Sequence, residues 1–398
     1  MERINQQRVR ELEQSRALKM ARSTHAYVRG NTAKFYEWLA VSPPAKRLPA
    51  GPAIWICGDC HLGNLGPVAN AEGKVDIQIR DLDQSVIGNP AHDLIRLGLS
   101  LATAARGSDL PGVTTAQMIE QMVEGYGLAM AEQSEAVAPE PNVVRLVRRR
   151  AMGRRWRHLA EERLDDVEPT LPLGKKFWAL TEDEKAALEN LFDDPAVAAM
   201  ILSLSGRNGD DRMRLVDSAY WKKGCSSLGN LRFAALVSIG GTRKSPSEYA
   251  LIDLKEATAA VAPSSHKQQM PRDHAERVVA GASALAPNLG ERMLATRILD
   301  RPIVLRELLP QDLKLEIDQF SRAEATRAAR YLAYIVGVGH ARQMDAGERR
   351  DWGRAIARHQ SASIDAPTWL WDSVVDLTAS HEAGYLEHCR RYALSQAA

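Results

Sequence analysis

Three side chains in the first quarter of the sequence have the types and spacing that phosphoryl transfer requires. In AIWICGDCHLGNLGPV, Asp59 and Asn64 stand five residues apart, and Asp81 ends the next apolar run, GKVDIQIRDLD. One carboxylate can orient an attacking hydroxyl and accept its proton, while an amide oxygen and a second carboxylate hold magnesium on the phosphates. The same loop contains Cys57-x-x-Cys60-His61, the spacing that attaches a c-type haem. That attachment occurs on the exported side of a membrane, and the opening segment, MERINQQRVRELEQSRALKM, has no apolar signal core. Zinc would need a second ligand pair, yet Cys225 and Cys389 stand alone. A redox pair would open a helix, whereas this run continues into Leu-Gly-Asn. Cys57 and Cys60 are therefore expected to be small buried fillers.

Such residues work only if larger elements hold them in place. The chain has 398 residues, 45% apolar and 26% charged, enough for two substantial cores. Its net charge of +2 gives no general case for nucleic acid or a membrane surface, so any basic surface must be local. No run approaches the roughly 18 apolar residues of a membrane span. With four scattered cysteines, these features lead to the expectation of a soluble, cytoplasmic protein in a reducing compartment, its oligomeric state unspecified.

Apolar spacing predicts helix over residues 7 to 40, broken at VSPPAKRLPAGP, and then a short buried strand at AIWIC. Val75, Ile77 and Ile79 alternate as in a half-buried strand, so the three candidate residues fall at strand ends. A helical pattern follows to about residue 200. Within it, RLVRRRAMGRRWRHLAEERL is either a solvated basic face or a contact for phosphate or an acidic partner. Near residue 213 the texture changes. Runs Arg232 to Ile239 and Tyr249 to Ala257 flank a Gly-Gly, Ser-Pro-Ser connection, a β-hairpin signal. A helix in PRDHAERVVAGASALA, a strand in RPIVLRELL and terminal helices complete the pattern.

The segment GDCHLGN…IQIRDLDQSVIGNPAHDLIRL resembles the HGDLHPGN…IDFDDAGxGDPAxDLA signature of aminoglycoside and choline phosphotransferases, which are protein-kinase-like enzymes. The resemblance implies Asp59 as catalytic base, Asn64 and Asp81 as magnesium ligands with Asp83 as a further metal residue, and Asp93 as an acid bracing the loop. His61 falls on a His of that signature and is read as a loop-bracing hydrogen-bonder. Cys57 replaces the usual His before Gly-Asp. A kinase-like fold also needs a Gly-rich turn over the phosphates, a strand lysine and a helix glutamate. Nothing ahead of Asp59 supplies them. KKGCSSLGN, with Gly224, Ser226, Ser227 and Gly229, fits the turn, and ALIDLKEA supplies Lys255.

This order, catalytic loop first and lysine strand second, is that of a circularly permuted kinase. The chain also resembles the bacterial family called domain of unknown function 2252. Its motifs match YVRG at Tyr27 to Gly30, GDCHLGNLG, DLDQ, GCSSLGNLR, KEA at Lys255 to Ala257, and RELLPQDLK ending at Lys314. In two places the sequence departs from that pattern. RVVAGAS puts Ala280 where the family has an acid, leaving Glu276 as the candidate partner of Lys255, and DLDQ places Gln84 where the family has Glu. Arg306, Asp312 and Lys314 are expected to line or brace the cleft, and His340 to complete a polar patch.

The expected architecture is an α+β, protein-kinase-like, two-lobed fold in permuted order. Residues 1 to 204 form a helical part with the loop, 205 to 315 a β-rich nucleotide part that includes Arg306, and 316 to 398 helices that rejoin the first. The expected activity is ATP- and magnesium-dependent phosphoryl transfer to an unidentified small-molecule or protein hydroxyl. Transfer of AMP by the same groups is the enzymatic alternative. A nucleotide-binding regulator with little turnover, docking through the basic stretch near 145 to 157, is the non-enzymatic one.

Overall fold

The computed structural model describes residues 2–131, 137–164, 170–204, 207–223, 229–240, 247–265, 270–313, 315, 321–358 and 364–397. Helices α1 (Glu2–Ala21), α2 (Thr24–Gly30) and α3 (Thr32–Val41) lead to strand β1 (Ile54–Ile56). After the loop of residues 57–64 come β2 (Leu65–Ala69), β3 (Val75–Ile79) and β4 (Val86–Gly88). Helices α4 (Ala91–Gly107), α5 (Gly112–Met130), α6 (Asn142–Met152) and α7 (Trp156–Leu164) follow, then β5 (Phe177–Trp178), α8 (Glu182–Phe192) and α9 (Pro195–Leu202). The sheet-rich stretch runs β6 (Met213–Trp221), β7 (Arg232–Ile239), β8 (Glu248–Glu256), α10 (His274–Leu285), α11 (Pro287–Gly290), β9 (Met293–Ile298) and β10 (Arg301–Leu308). The chain closes with α12 (Arg322–Ala341), α13 (Ala346–Ile356) and α14 (Thr368–Ala397).

The result is a mixed α/β protein with a six-stranded antiparallel sheet in the order β5-β6-β7-β8-β10-β9. β7 and β8 pair from Arg232↔Lys255 to Ile239↔Glu248, as the hairpin pattern predicts; their connection, 241–246, lies outside the described residues. Every residue of β7 is buried, because both faces of the sheet are covered. Phe233, Ala235 and Val237 pack with Ile252 and Leu254 against Leu188 and Phe192 of α8 and Val197 and Ile201 of α9. Across the sheet, Ala234, Leu251 and Leu308 pack against Leu159 and Leu164 of α7. Period-two alternation decides which residues go where.

A second core joins β1 to β4 with α3, α4, α5, α12 and α14. α5 and α12 approach closely enough that a Cβ at Gly125 would collide with the Arg330 carbonyl, so a small residue is required there. The last helix returns to the first three. The Tyr385 hydroxyl donates to the Ala21 carbonyl at 3.1 Å, and the Trp38 indole N–H donates to Asp376 at 2.6 Å.

Some expectations change in detail. The single helical stretch from 7 to 40 becomes three helices because Ser23 and Asn31 act as N-caps, accepting from Ala26 N and Lys34 N. β3 is more buried than its alternation implies: Gln78, on the polar side, is enclosed and accepts from Asn288 N at 3.2 Å. β2, β6 and β9 carry no clear signal; β2 contains Gly66 and Pro67, tolerable in a two-stranded ribbon. Among the described residues, no helix is long and apolar enough to cross a membrane.

Candidate functional site

The loop after β1 is held from several directions. Gly58 has φ +72°, and a Cβ there would run into the Gln84 carbonyl, so glycine alone permits this turn. Asp93, in the first turn of α4, accepts from the amides of Cys57 at 2.7 Å and Gly58 at 2.9 Å. Its carboxylate also meets His340 Nε2 at 3.1 Å; the other ring nitrogen meets the Tyr126 hydroxyl at 2.9 Å, which accepts from the Trp352 indole N–H at 2.9 Å. Asp93 and His340 are fully buried. The network therefore ties the loop to α4, α5, α12 and α13, and His340 belongs to it as a brace.

Asp59 is buried, and its carboxylate accepts from Arg96 Nε at 2.9 Å, with Nη2 of the same guanidinium 2.8 Å away in the ion pair. Arg96 is wholly enclosed and also donates to the Val28 carbonyl at 2.5 Å. Burial pushes the Asp59 carboxyl up, against the pull of Arg96, in the direction that suits a proton acceptor. Asn64 Nδ2 donates to the Asp59 carbonyl at 2.9 Å, so its amide oxygen is turned the other way.

The sheet register builds the opposite side. Asp253 and Lys255 alternate with inward Ile252 and Leu254, and so share a face with Arg232 and Arg306 on the neighbouring strands. Asp253 collects three cations: Arg232 at 2.6 and 2.8 Å, Arg306 at 3.7 Å and Lys223 at 3.8 Å. The Lys255 ammonium lies 3.6 Å from Asp81 and forms a close ion pair with Asp83. Desolvation by its packed neighbours pushes the Asp81 carboxyl up although it opens on the cavity, but Lys255, Arg306 and Arg232 overcome this and hold the group below the usual carboxylate range. Burial and the Asp81 charge raise Asp83. Burial lowers Lys255, and the two aspartates more than restore it, keeping it cationic.

Between loop and sheet is a cavity of about 470 Å³ lined by Asp59, Asn64, Asp81, Lys255 and Arg306. Two larger hollows, of about 670 and 910 Å³, lie against α1, α8 and β6 and contain none of these residues. Asn64 and Asp81 offer hard oxygens on one wall, a fit for magnesium, which takes one or two protein oxygens and completes its shell with water and phosphate. Among the described residues, no group of three His, Cys, Asp or Glu side chains forms a metal cage by itself.

The structure rearranges part of the expected site. Glu276 is exposed on α10 and does not reach Lys255; the DLD loop supplies the partner, Asp83, from the opposite direction. α10 contributes Arg277 instead, which donates to the backbone carbonyls of Asp83, Ser85 and Thr258. Asp83 thus faces the lysine and is not among the residues lining the cavity with Asn64 and Asp81. Gly224, Ser226, Ser227 and Lys314 lie outside the described residues; Gly229 has φ +109°, which favours glycine. His61 Nε2 is 4.0 Å from Asp59 and Nδ1 has no partner among the described residues, so this ring lines the cavity without the expected bracing bond. Cys57 and Cys60 are free and wholly buried, the fillers expected. Asp312 accepts from Arg292 at 2.9 and 3.2 Å, so it both braces and lines the cleft. Within the basic stretch Arg148 pairs with Glu140 and Arg154 donates to Pro310 O and Glu162, whereas Arg145, Arg149, Arg150, Arg155 and Arg157 are exposed, as in a solvated face. Arg96, Asp253 and Arg277 were not singled out in the sequence. Only the alternation around Asp253, an acid between Ile252 and Leu254, marks one of them there.

The fold and site define a mixed α/β protein with a strongly cationic cavity between an antiparallel sheet and a buried, braced loop. The family model described as "Uncharacterized protein conserved in bacteria (DUF2252)" matches residues 8–391, and the chain belongs to that family. No curated protein and no solved structure matches it.

Proposed function

We propose that the protein is a kinase-like phosphotransferase in circularly permuted order, moving the γ-phosphoryl group of ATP to a hydroxyl acceptor with magnesium. The loop with helices α2 to α5 and α12 to α14 acts as the helical lobe. The six-stranded sheet acts as the nucleotide lobe, including β5 and joined by the helices α7 to α9 that cover it, all of which precede residue 205. One observation supports this above the others. Asp59, Asn64 and Asp81 line the same cavity as Lys255, more than 170 residues later, whose ammonium is 3.6 Å from Asp81. The order of strand β7, hairpin, lysine strand β8 and helix α10 also agrees with what a nucleotide lobe needs.

In this reading Asp59, fixed by Arg96, orients the acceptor hydroxyl and takes its proton. Asn64 and Asp81 hold magnesium, which neutralises charge on the phosphates when bound. Lys255 and Arg306 place the triphosphate. Positioning and charge supply most of the catalysis in such transfers.

The test is incubation of the full chain with magnesium and ATP labelled at either the α- or the γ-phosphate, against pooled small molecules and its own polypeptide. Label from the γ-position on an acceptor is expected. Label from the α-position would assign AMP transfer instead, and nucleotide binding without turnover a regulator. Asp59→Asn should lower transfer by about 10²-fold or more while nucleotide affinity stays within twofold. An unchanged rate would remove Asp59 as the base.

A further inference from the structure

Charge is unevenly answered around the cavity. Among the described residues lining it, lysines and arginines outnumber carboxylates nine to three. On the sheet side these cations have acidic partners: Lys255 has Asp81 and Asp83, and Arg232, Lys223 and Arg306 share Asp253. The helical wall is different. There Arg22, in the turn after α1, and Arg29 of α2 face the same space, and no carboxylate among the described residues forms an ion pair with either; Arg163 of α7, which packs on the sheet, has Glu162 at 2.9 Å.

Arg29 is brought to the loop itself. A Cβ on Gly63 would lie 3.0 Å from its guanidinium carbon, so the missing side chain makes room for that group beside His61 and Asn64. The Arg29 Nε is enclosed and has no hydrogen-bond partner among the described residues, as holds also for Arg16, Arg207, Arg277, Arg330 and Arg349; what sets Arg29 apart is its place in the cavity beside the loop. His61, between Arg29 and Asp59, is kept neutral by burial and by the nearby Arg29 and Arg96, so it adds no charge of its own.

A magnesium-bound triphosphate would be met by the sheet-side cations, which leaves Arg22 and Arg29 without an anion. We propose that the acceptor is a small molecule already bearing a phosphate, gripped by Arg22 and Arg29 while its hydroxyl is presented to Asp59. This rests on the phosphotransferase reading. Guanidinium forks match phosphate oxygens, and a cavity of about 470 Å³ is in the range of small-molecule sites. The chain's net charge of +2 gives no general case for a nucleic-acid acceptor. The step balances: the acceptor oxygen bonds to the γ-phosphorus as the bond to the β–γ bridging oxygen breaks, ADP departs, and the hydroxyl proton passes to Asp59.

The experiment is calorimetric titration of the full chain, saturated with magnesium and a non-hydrolysable ATP analogue, with inorganic phosphate, glycerol 3-phosphate and glycerol. One equivalent of either phosphate probe is expected to bind, and glycerol is not. Arg29→Ala should weaken the phosphate probes by about tenfold or more, with analogue affinity changed less than twofold. Arg22→Ala, at an exposed position, should weaken them about threefold and gives the same readout should the Arg29 variant fail to fold. Absence of phosphate binding to the nucleotide-saturated protein would overturn the proposal. So would an equal loss of analogue affinity in both variants, which would place these arginines in the nucleotide site. A phosphopeptide binding more tightly than glycerol 3-phosphate would overturn the small-molecule assignment. If the analogue itself does not bind, while phosphate binds with the same arginine dependence, the phosphotransferase reading fails and the phosphate subsite stands.

Discussion

Lys255 shows how a single residue's role depends on which carboxylate reaches it. Its closest partner is Asp83, with Asp81 at 3.6 Å, and the helix glutamate that the motif order suggested, Glu276, is exposed elsewhere. Asp83 therefore keeps the lysine aligned, and Asp81 is the carboxylate that both feels its charge and faces the cavity. Asp83→Asn is expected to lower nucleotide affinity roughly tenfold, the scale of one charge-assisted hydrogen bond, whereas Glu276→Gln should change it less than twofold. Titration of both variants with a magnesium–ATP analogue checks this; the opposite ranking would return the role to Glu276.

At the level of elements, the loop is positioned less by its own strands than by helices that arrive much later in the chain. Asp93 is the junction: two loop amides and His340 all depend on its carboxylate, and His340 depends in turn on Tyr126 and Trp352. Asp93→Ala leaves several buried donors without an acceptor, a loss of roughly 3–5 kcal/mol. Urea unfolding should show it, and a stability change under about 1 kcal/mol would mean that the network does not hold the loop. The sheet contributes through register instead. Because side chains alternate, placing Ile252 and Leu254 in the core puts Asp253 and Lys255 on the cavity face. A one-residue slip would bury Lys255 and dismantle the site.

For the whole molecule, buried histidines set a pH dependence. Burial lowers His92 to about 4 and His381 to about 3, while both titrate near 6.5 in the unfolded chain. Between those values the unfolded chain binds more protons, so their contribution to stability is complete above about pH 6.5 and is lost as pH falls toward 4. The raised carboxyls of Asp59, Asp83 and Glu307 act in the opposite sense, taking up protons in the folded state. Thermal melts from pH 7.5 to 4.5 should therefore give a shallower fall for His92→Gln than for the unaltered chain. Identical slopes would show that His92 is not buried neutral. What the sequence determined by itself was local: Asp59, Asn64 and Asp81 lie within one loop and one strand, and the β7–β8 alternation states which face of each strand is apolar. Periodicity specifies the face that is buried and says nothing of which distant charge will fill the space in front of it. Tertiary packing alone decided that Arg96 would fix Asp59, that Asp83 would take the lysine, and that arginines from α2 and α7 would converge on one cavity, because each pairing depends on side chains meeting across tens to hundreds of residues of intervening chain.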